Sequence, residues 1–160
     1  MSTANRVTVE TDRVARTRAL GRRLARLLRP GDVVLLQGPL GAGKTALAQG
    51  VGAGLKVDGR VTSPTFVLIA LHEGGSLPLY HADLYRLTAS DEVDDLQLAA
   101  QAAAGVLLVE WPERGLDALP DEHLLVAIEP VEGEPDGRRI TFVANGARYQ
   151  RVLDGLAGHV

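Results

Sequence analysis

The eight residues Gly38-Pro39-Leu40-Gly41-Ala42-Gly43-Lys44-Thr45 read as a complete phosphate-binding P-loop. No other feature of the chain constrains its fold as strongly, because such a loop works only as the turn between a buried strand and a helix. The flanks agree: the apolar run Val33-Val34-Leu35-Leu36 leads in, and the helix-forming run Ala46-Leu47-Ala48-Gln49 leads out. Glycines let the loop wrap back so that successive backbone N–H groups converge on phosphate oxygens. The helix that follows adds unpaired N–H groups and the positive end of its dipole. The backbone from Gly38 through Gly41, Ala42, Gly43, Lys44 and Thr45 to Ala46 is therefore the expected cradle. Lys44 is expected to reach the β- and γ-phosphates of a nucleotide, and the Thr45 hydroxyl to ligate Mg²⁺. Lys44 is one of two lysines in a chain with 15 arginines, so a lysine here is not a by-product of abundance.

Length and composition bound the rest. At 160 residues and 46% hydrophobic content, residues 1–160 are expected to form a single domain with one real core, with a few residues at each end loosely held. The net charge of −3 gives no general attraction to nucleic acid or to an anionic membrane. Without cysteine there are neither disulfides nor thiolate metal sites. The Arg-rich first thirty residues are no secretory signal, and no stretch approaches the roughly twenty apolar residues of a membrane span. A cytoplasmic location is the expectation.

Along the chain, Thr11 or Asp12 is placed to cap a first helix running to about Leu28, with Val14, Leu20, Leu24, Leu27 and Leu28 on one face. Its arginines read more naturally as a solvated face than as a nucleic-acid patch. Strand 33–37, the P-loop and helix 44–54 follow; Gly50, Gly52 and Gly54 weaken the end of that helix. Phe66–Leu71 and Leu77–His81 flank Gly74-Gly75 as an antiparallel hairpin. A helical stretch begins at Thr88 or Ser90 and ends near Gly105. Val106–Val109 is apolar throughout, as a central strand buried on both faces requires. His123–Glu129 and Arg138–Ala144 form a second hairpin, and Tyr149–Leu156 a closing helix. The sum is an α/β fold: a P-loop NTPase domain with a mixed sheet, a mostly parallel core plus antiparallel hairpins, flanked by helices.

A P-loop needs a second acidic group for Mg²⁺, usually at the end of a neighbouring apolar strand. Glu110 is the first polar residue after Val106–Val109, at the carboxyl edge where ligands bind open α/β sheets. Asp83 follows the strand ending at His81. It either holds Mg²⁺ through water, orients an attacking water, or serves as an ordinary turn or cap aspartate. Ser63-Pro64-Thr65 occupies the position of a γ-phosphate-sensing switch, although the same residues also suit a plain turn. Trp111 reads equally as a wall of the site or as packing.

Together these segments resemble the TsaE (YjeE) family, small bacterial P-loop ATPases needed to make the threonylcarbamoyladenosine base next to the anticodon of tRNAs. The P-loop, Thr62-Ser63-Pro64-Thr65-Phe66, His81-Ala82-Asp83-Leu84-Tyr85-Arg86-Leu87 and Val109-Glu110-Trp111-Pro112 match its motifs in order. Pro39 stands where the family usually has Asp, Ala46 where a second Thr is common, and Lys56 where a Gly often ends the helix. The resemblance implies ATP and Mg²⁺ as ligands, and Thr45 and Glu110 on the metal. It puts Asp83 beside the metal and terminal phosphate, and makes Ser63 and Thr65 part of a switch. It also implies TsaD and TsaB homologues as partners, with tRNA met only through that complex. The C-terminal third carries no motif, and Arg138 or Arg139 is a guess for base or ribose contacts.

Two other classes compete. A small-molecule P-loop kinase needs an acceptor pocket and usually an Arg-bearing lid, for which residues 112–137 offer only Arg114. A GTP-binding module needs an Asn-Lys-x-Asp string after a late strand; the nearest string, Leu55-Lys56-Val57-Asp58, lacks the Asn and comes too early.

Overall fold

The computed structural model describes residues 5–59, 61–62, 69–87 and 90–158. Strands β1 (Arg6–Thr11), β2 (Val33–Gln37), β3 (Ile69–His72), β4 (Leu79–Asp83), β5 (Val106–Glu110), β6 (His123–Val131) and β7 (Glu134–Asn145) join one sheet. Their spatial order is β1-β7-β6-β2-β5-β4-β3. The centre, β6-β2-β5-β4, is parallel throughout. The outer pairs β1–β7, β7–β6 and β4–β3 are antiparallel. This is the mixed sheet anticipated from the sequence, with P-loop strand β2 in the middle.

Helices α1 (Val14–Ala25), α2 (Lys44–Leu55), α3 (Ser90–Leu96), α4 (Leu98–Gln101) and α5 (Ala147–Ala157) cover both faces. Period-two alternation in the central strands splits the core in two. Val34, Leu36, Leu79, Val106 and Leu108 pack with α1, α2 and α5. Val33, Leu35, Ala82, Leu107 and Val109 pack with Val93 of α3 and Leu98 of α4. The parity has a chemical consequence. Continuing the first set along β4 and β5 puts His81, Asp83 and Glu110 on the same face as the P-loop helix. No described helix is long and apolar enough to cross a membrane.

The structure departs from the sequence-based elements in several places, among them the second hairpin, which turns at Glu132-Gly133 because β6 runs on to Val131 and β7 begins at Glu134 rather than Arg138. Residues 6–11 are a strand, and Thr11 is no helix cap: its hydroxyl meets that of Thr17 at 2.7 Å. Helix α1 begins after Arg13, which makes no side-chain cap bond, and stops at Ala25. Strand β4 is shifted, so Asp83 is its last residue rather than a residue beyond it. The helical stretch before Gly105 is broken at Gln97, whose φ of 48° is left-handed. Of the first hairpin's outer strand only Ile69–His72 belongs to the described residues. Ser63, Thr65 and Thr88 lie outside them.

The glycines of α2 reflect packing. A Cβ on Gly50 would run into the Arg18 carbonyl, and one on Gly54 would meet Ala25 and the Arg22 backbone. Bare backbone here lets α1 lie close against α2, and α1 in turn lies beside the mouth of the P-loop through Val14.

Candidate functional site

Strand β2 delivers the loop to the carboxyl edge of the sheet, and α2 leaves it. Gly43 makes the turn at φ 106°, a left-handed conformation that favours glycine. The first bond of the helical ladder runs from the Leu47 N–H to the Gly43 carbonyl at 3.1 Å. The amides of Lys44, Thr45 and Ala46 lie upstream of that ladder, where a helix offers N–H groups to an anion.

Around the loop lies a cleft of about 580 Å³, within the range of small-molecule sites. Gly41, Ala42, Gly43, Lys44 and Thr45 line it, and so do Asp83 and Glu110. Gly38 and Ala46 flank it. Thus the residues singled out from three separate segments converge. Asp83 and Glu110 are directly paired in the β4–β5 register, and they are 8% and 2% exposed. Asp83 Oδ1 also accepts the Tyr85 N–H at 2.9 Å, turning the chain out of β4.

Lys44 is nearly buried. Its Nζ donates to the Gly38 carbonyl at 2.6 Å and lies 3.6 Å from the centroid of the Trp111 ring. Burial lowers its pKa from the ordinary 10.5, while the carboxylates of Glu110, Glu113 and Asp83 pull it back up. Trp111 therefore does wall the site. It sits at φ 57°, and its ring tilts against Tyr85 at 4.8 Å between centroids. Arg114 lies over the Tyr85 ring at 5.5 Å and ends the first of two short 3₁₀ turns, Pro112–Arg114 and Leu116–Ala118. Residues 112–114 thus lie beside the site wall, while Gly115 and Ala118 pack against α3 and its core cluster.

Two contributors escaped the sequence reading or were only guessed. His81, fully buried, places Nε2 2.6 Å from Glu110 Oε2. Arg138 of β7 lines the cleft and donates to the P-loop carbonyls of Ala42 and Gly41 at 2.6 and 3.1 Å. Arg139 turns to the other face and pairs with Glu10 at 3.4 Å. The clue for Arg138 was weak, a cation opening a strand. For His81 it was its place two residues before Asp83.

The donor set fits Mg²⁺. Two buried carboxylates side by side repel unless a cation lies between them, and with the Thr45 hydroxyl they supply hard oxygen donors. Among the described residues no group of three or more His, Cys, Asp or Glu forms a metal cage. Mg²⁺ needs none, because it binds through one or two carboxylates plus phosphates and water.

Comparisons with known proteins give the family. A family model described as "Threonylcarbamoyl adenosine biosynthesis protein TsaE" matches residues 11–140. A tRNA threonylcarbamoyladenosine biosynthesis protein TsaE of Streptomyces coelicolor is 45% identical over 147 residues, covering 88% of this chain and 99% of that protein. Its namesake in Bacillus subtilis is 42% identical over 144 residues, covering 89% of each. The crystal structure of Bacillus subtilis YdiB superposes with a TM-score of 0.79 at 36% identity, covering 96% of this chain and 95% of that one.

Proposed function

The chain belongs to the TsaE family, and from that membership we propose that it serves tRNA threonylcarbamoyladenosine formation as a Mg²⁺-dependent ATPase. In this reading it acts as a partner-activated switch on a TsaB–TsaD complex in the cytoplasm, and meets tRNA only through that complex. The observation that carries the ATPase half is the convergence of a complete P-loop with Asp83 and Glu110 in one cleft.

Each residue has a task that its position supports. Backbone N–H groups from Gly41 to Ala46 bind the phosphates. Lys44 leaves the Gly38 carbonyl and brings its charge to the β- and γ-phosphates. Thr45 and Glu110 hold Mg²⁺; Asp83, beside Glu110, either shares that role through water or orients the attacking water. Mg²⁺, when bound, neutralises charge that builds on the phosphate oxygens. Trp111 and Tyr85 keep bulk water from one side of the site. Ser63 and Thr65 belong to the switch by family likeness.

The partner half has a physical motive. P-loop enzymes gain about 10³–10⁵ in rate from an arginine that stabilises the transferring phosphoryl group. Arg114 is engaged over Tyr85, Arg138 spends four N–H···O contacts on backbone carbonyls, and Arg86, which also lines the cleft, has an interaction of its own. A supply from a partner fills that role. The test is phosphate release from ATP by the chain alone, and then with TsaB–TsaD and tRNA titrated in. Slow turnover that rises to saturation is expected. No hydrolysis in any mixture removes the ATPase; a flat rate with binding confirmed independently removes the switch.

A further inference from the structure

We propose that His81 is a positioning residue for Glu110: it holds one carboxylate oxygen so that the other is presented to the metal side of the cleft. The inference rests on the Mg²⁺ reading above and adds a residue to it.

The geometry is specific. His81 sits on β4, two residues before Asp83, and Glu110 ends β5. In the parallel register His81 pairs with Leu108 and Asp83 with Glu110, so His81 is the diagonal neighbour of Glu110 on one sheet face. Nε2 lies 2.6 Å from Oε2, with both side chains almost completely buried. Glu110 lines the cleft. With Oε2 engaged, Oε1 is the oxygen left to face it. A glutamate side chain has freely rotating bonds, and a ligand carboxylate gains affinity when a neighbouring donor fixes it in advance.

Packing alone does not account for this histidine. Leu79, two residues earlier on the same face, is apolar and fully buried. His81 instead brings a polar ring into that layer, and its Nδ1 has no hydrogen-bond partner among the described residues. An unpartnered ring nitrogen is not the distinguishing mark, since His72 Nε2 has no partner either; the short bond from Nε2 to a site carboxylate is. The same pattern assigns the tautomer. A proton on Nδ1 would be a buried donor with no acceptor, so the proton belongs on Nε2, which donates to Glu110.

The test compares His81→Leu and His81→Gln in the full chain, with ADP as the probe. ADP affinity is measured in chelator and across a Mg²⁺ titration, alongside the melting temperature. Gln can place an amide N–H near the position of Nε2; Leu cannot. His81→Leu is expected to keep its Mg²⁺-free affinity and to need about tenfold more Mg²⁺ for half-maximal tightening. His81→Gln is expected to recover most of that loss. A folded His81→Leu with the wild-type Mg²⁺ response overturns the proposal, and so does a folded His81→Gln as impaired as Leu. If His81→Leu does not fold, ¹⁵N NMR of the wild-type imidazole decides. The Nε2–H tautomer with an exchange-protected proton is expected, and an Nδ1–H tautomer overturns the role. Neither readout needs hydrolysis. A wild type that tightens on Mg²⁺ but releases no phosphate removes the ATPase and leaves this test intact. A wild type indifferent to Mg²⁺ removes both.

Discussion

Arg138 Nε donates to the Ala42 carbonyl at 2.6 Å, across 96 residues of chain, and Nη2 adds the neighbouring Gly41 carbonyl at 3.1 Å. In a trans peptide the C=O and the following N–H point in opposite directions. Anchoring the Ala42 carbonyl on Arg138 therefore turns the Gly43 N–H the other way. The arginine shapes the loop from its carbonyl side, and its stem packs over Gly43. Arg138→Lys keeps the charge but loses the planar fork whose Nε and Nη2 reach the two carbonyls separately. Arg138→Lys and Arg138→Ala are both expected to weaken ADP binding by about tenfold, or ~1.4 kcal/mol, in line with a few lost charge-assisted bonds. Wild-type affinity in Arg138→Lys would show that charge alone matters.

Lys44 and Thr45 are adjacent but act on different partners, so their alanine variants separate. Lys44→Ala removes charge from the phosphate side and is expected to weaken nucleotide binding even in chelator. Thr45→Ala removes a metal oxygen and is expected to bind normally in chelator while losing the tightening by Mg²⁺. Glu110→Gln belongs with Thr45→Ala, because it keeps shape and removes charge from the metal side. All three are expected to abolish turnover. Phosphate release at the wild-type rate from Lys44→Ala and Thr45→Ala would refute the site assignment.

What the sequence made legible was local. The P-loop and strand β5 announce themselves within eight and five consecutive residues, and Glu110, the first polar residue after the apolar run, then falls at the carboxyl edge. Strand β1 carried a signal too, since Arg6-Val7-Thr8-Val9-Glu10-Thr11 alternates, but the alternation is short and only two of its residues are aliphatic, and the elements read from the sequence begin only at Thr11. The break at Gln97 has no Gly or Pro to mark it. The longest-range contacts were out of reach. His81 meets Glu110 only through the β4–β5 register, and Arg138 meets Ala42 only once β7 is placed two strands from β2.

Gly50 separates the two kinds of reasoning. Helix propensity alone makes Gly50→Ala stabilising by about 1 kcal/mol. The structure reverses the sign, because the new methyl would run into the Arg18 carbonyl on α1. Overpacking of this kind costs about 1–3 kcal/mol, which for a chain of this size lowers the melting temperature by about 3–10 °C. A melting temperature at or above wild type would show that α1 and α2 are not so closely packed. Because α1 carries Val14 into the cleft wall, the same variant is expected to weaken nucleotide binding slightly.

Alkaline pH offers a test of Lys44 that leaves the sequence untouched. Burial lowers its pKa from 10.5, against the opposing pull of Glu110, Glu113 and Asp83. Polyphosphate favours the charged ammonium, so the bound pKa lies above that of the free protein. Linkage then requires nucleotide affinity, measured in chelator, to fall as pH rises through the lowered free-protein value, by up to about tenfold per unit. The decline should begin below pH 10.5. Unfolding does not mimic it through this residue. The unfolded chain holds its Lys44 proton up to the ordinary value, so between the two pKa values Lys44 makes the fold more stable as pH rises. Lys44→Met is the control: its affinity starts lower and should lose this pH dependence. A wild-type affinity that stays level to pH 10.5 while the protein remains folded would mean that the ammonium does not reach the phosphates.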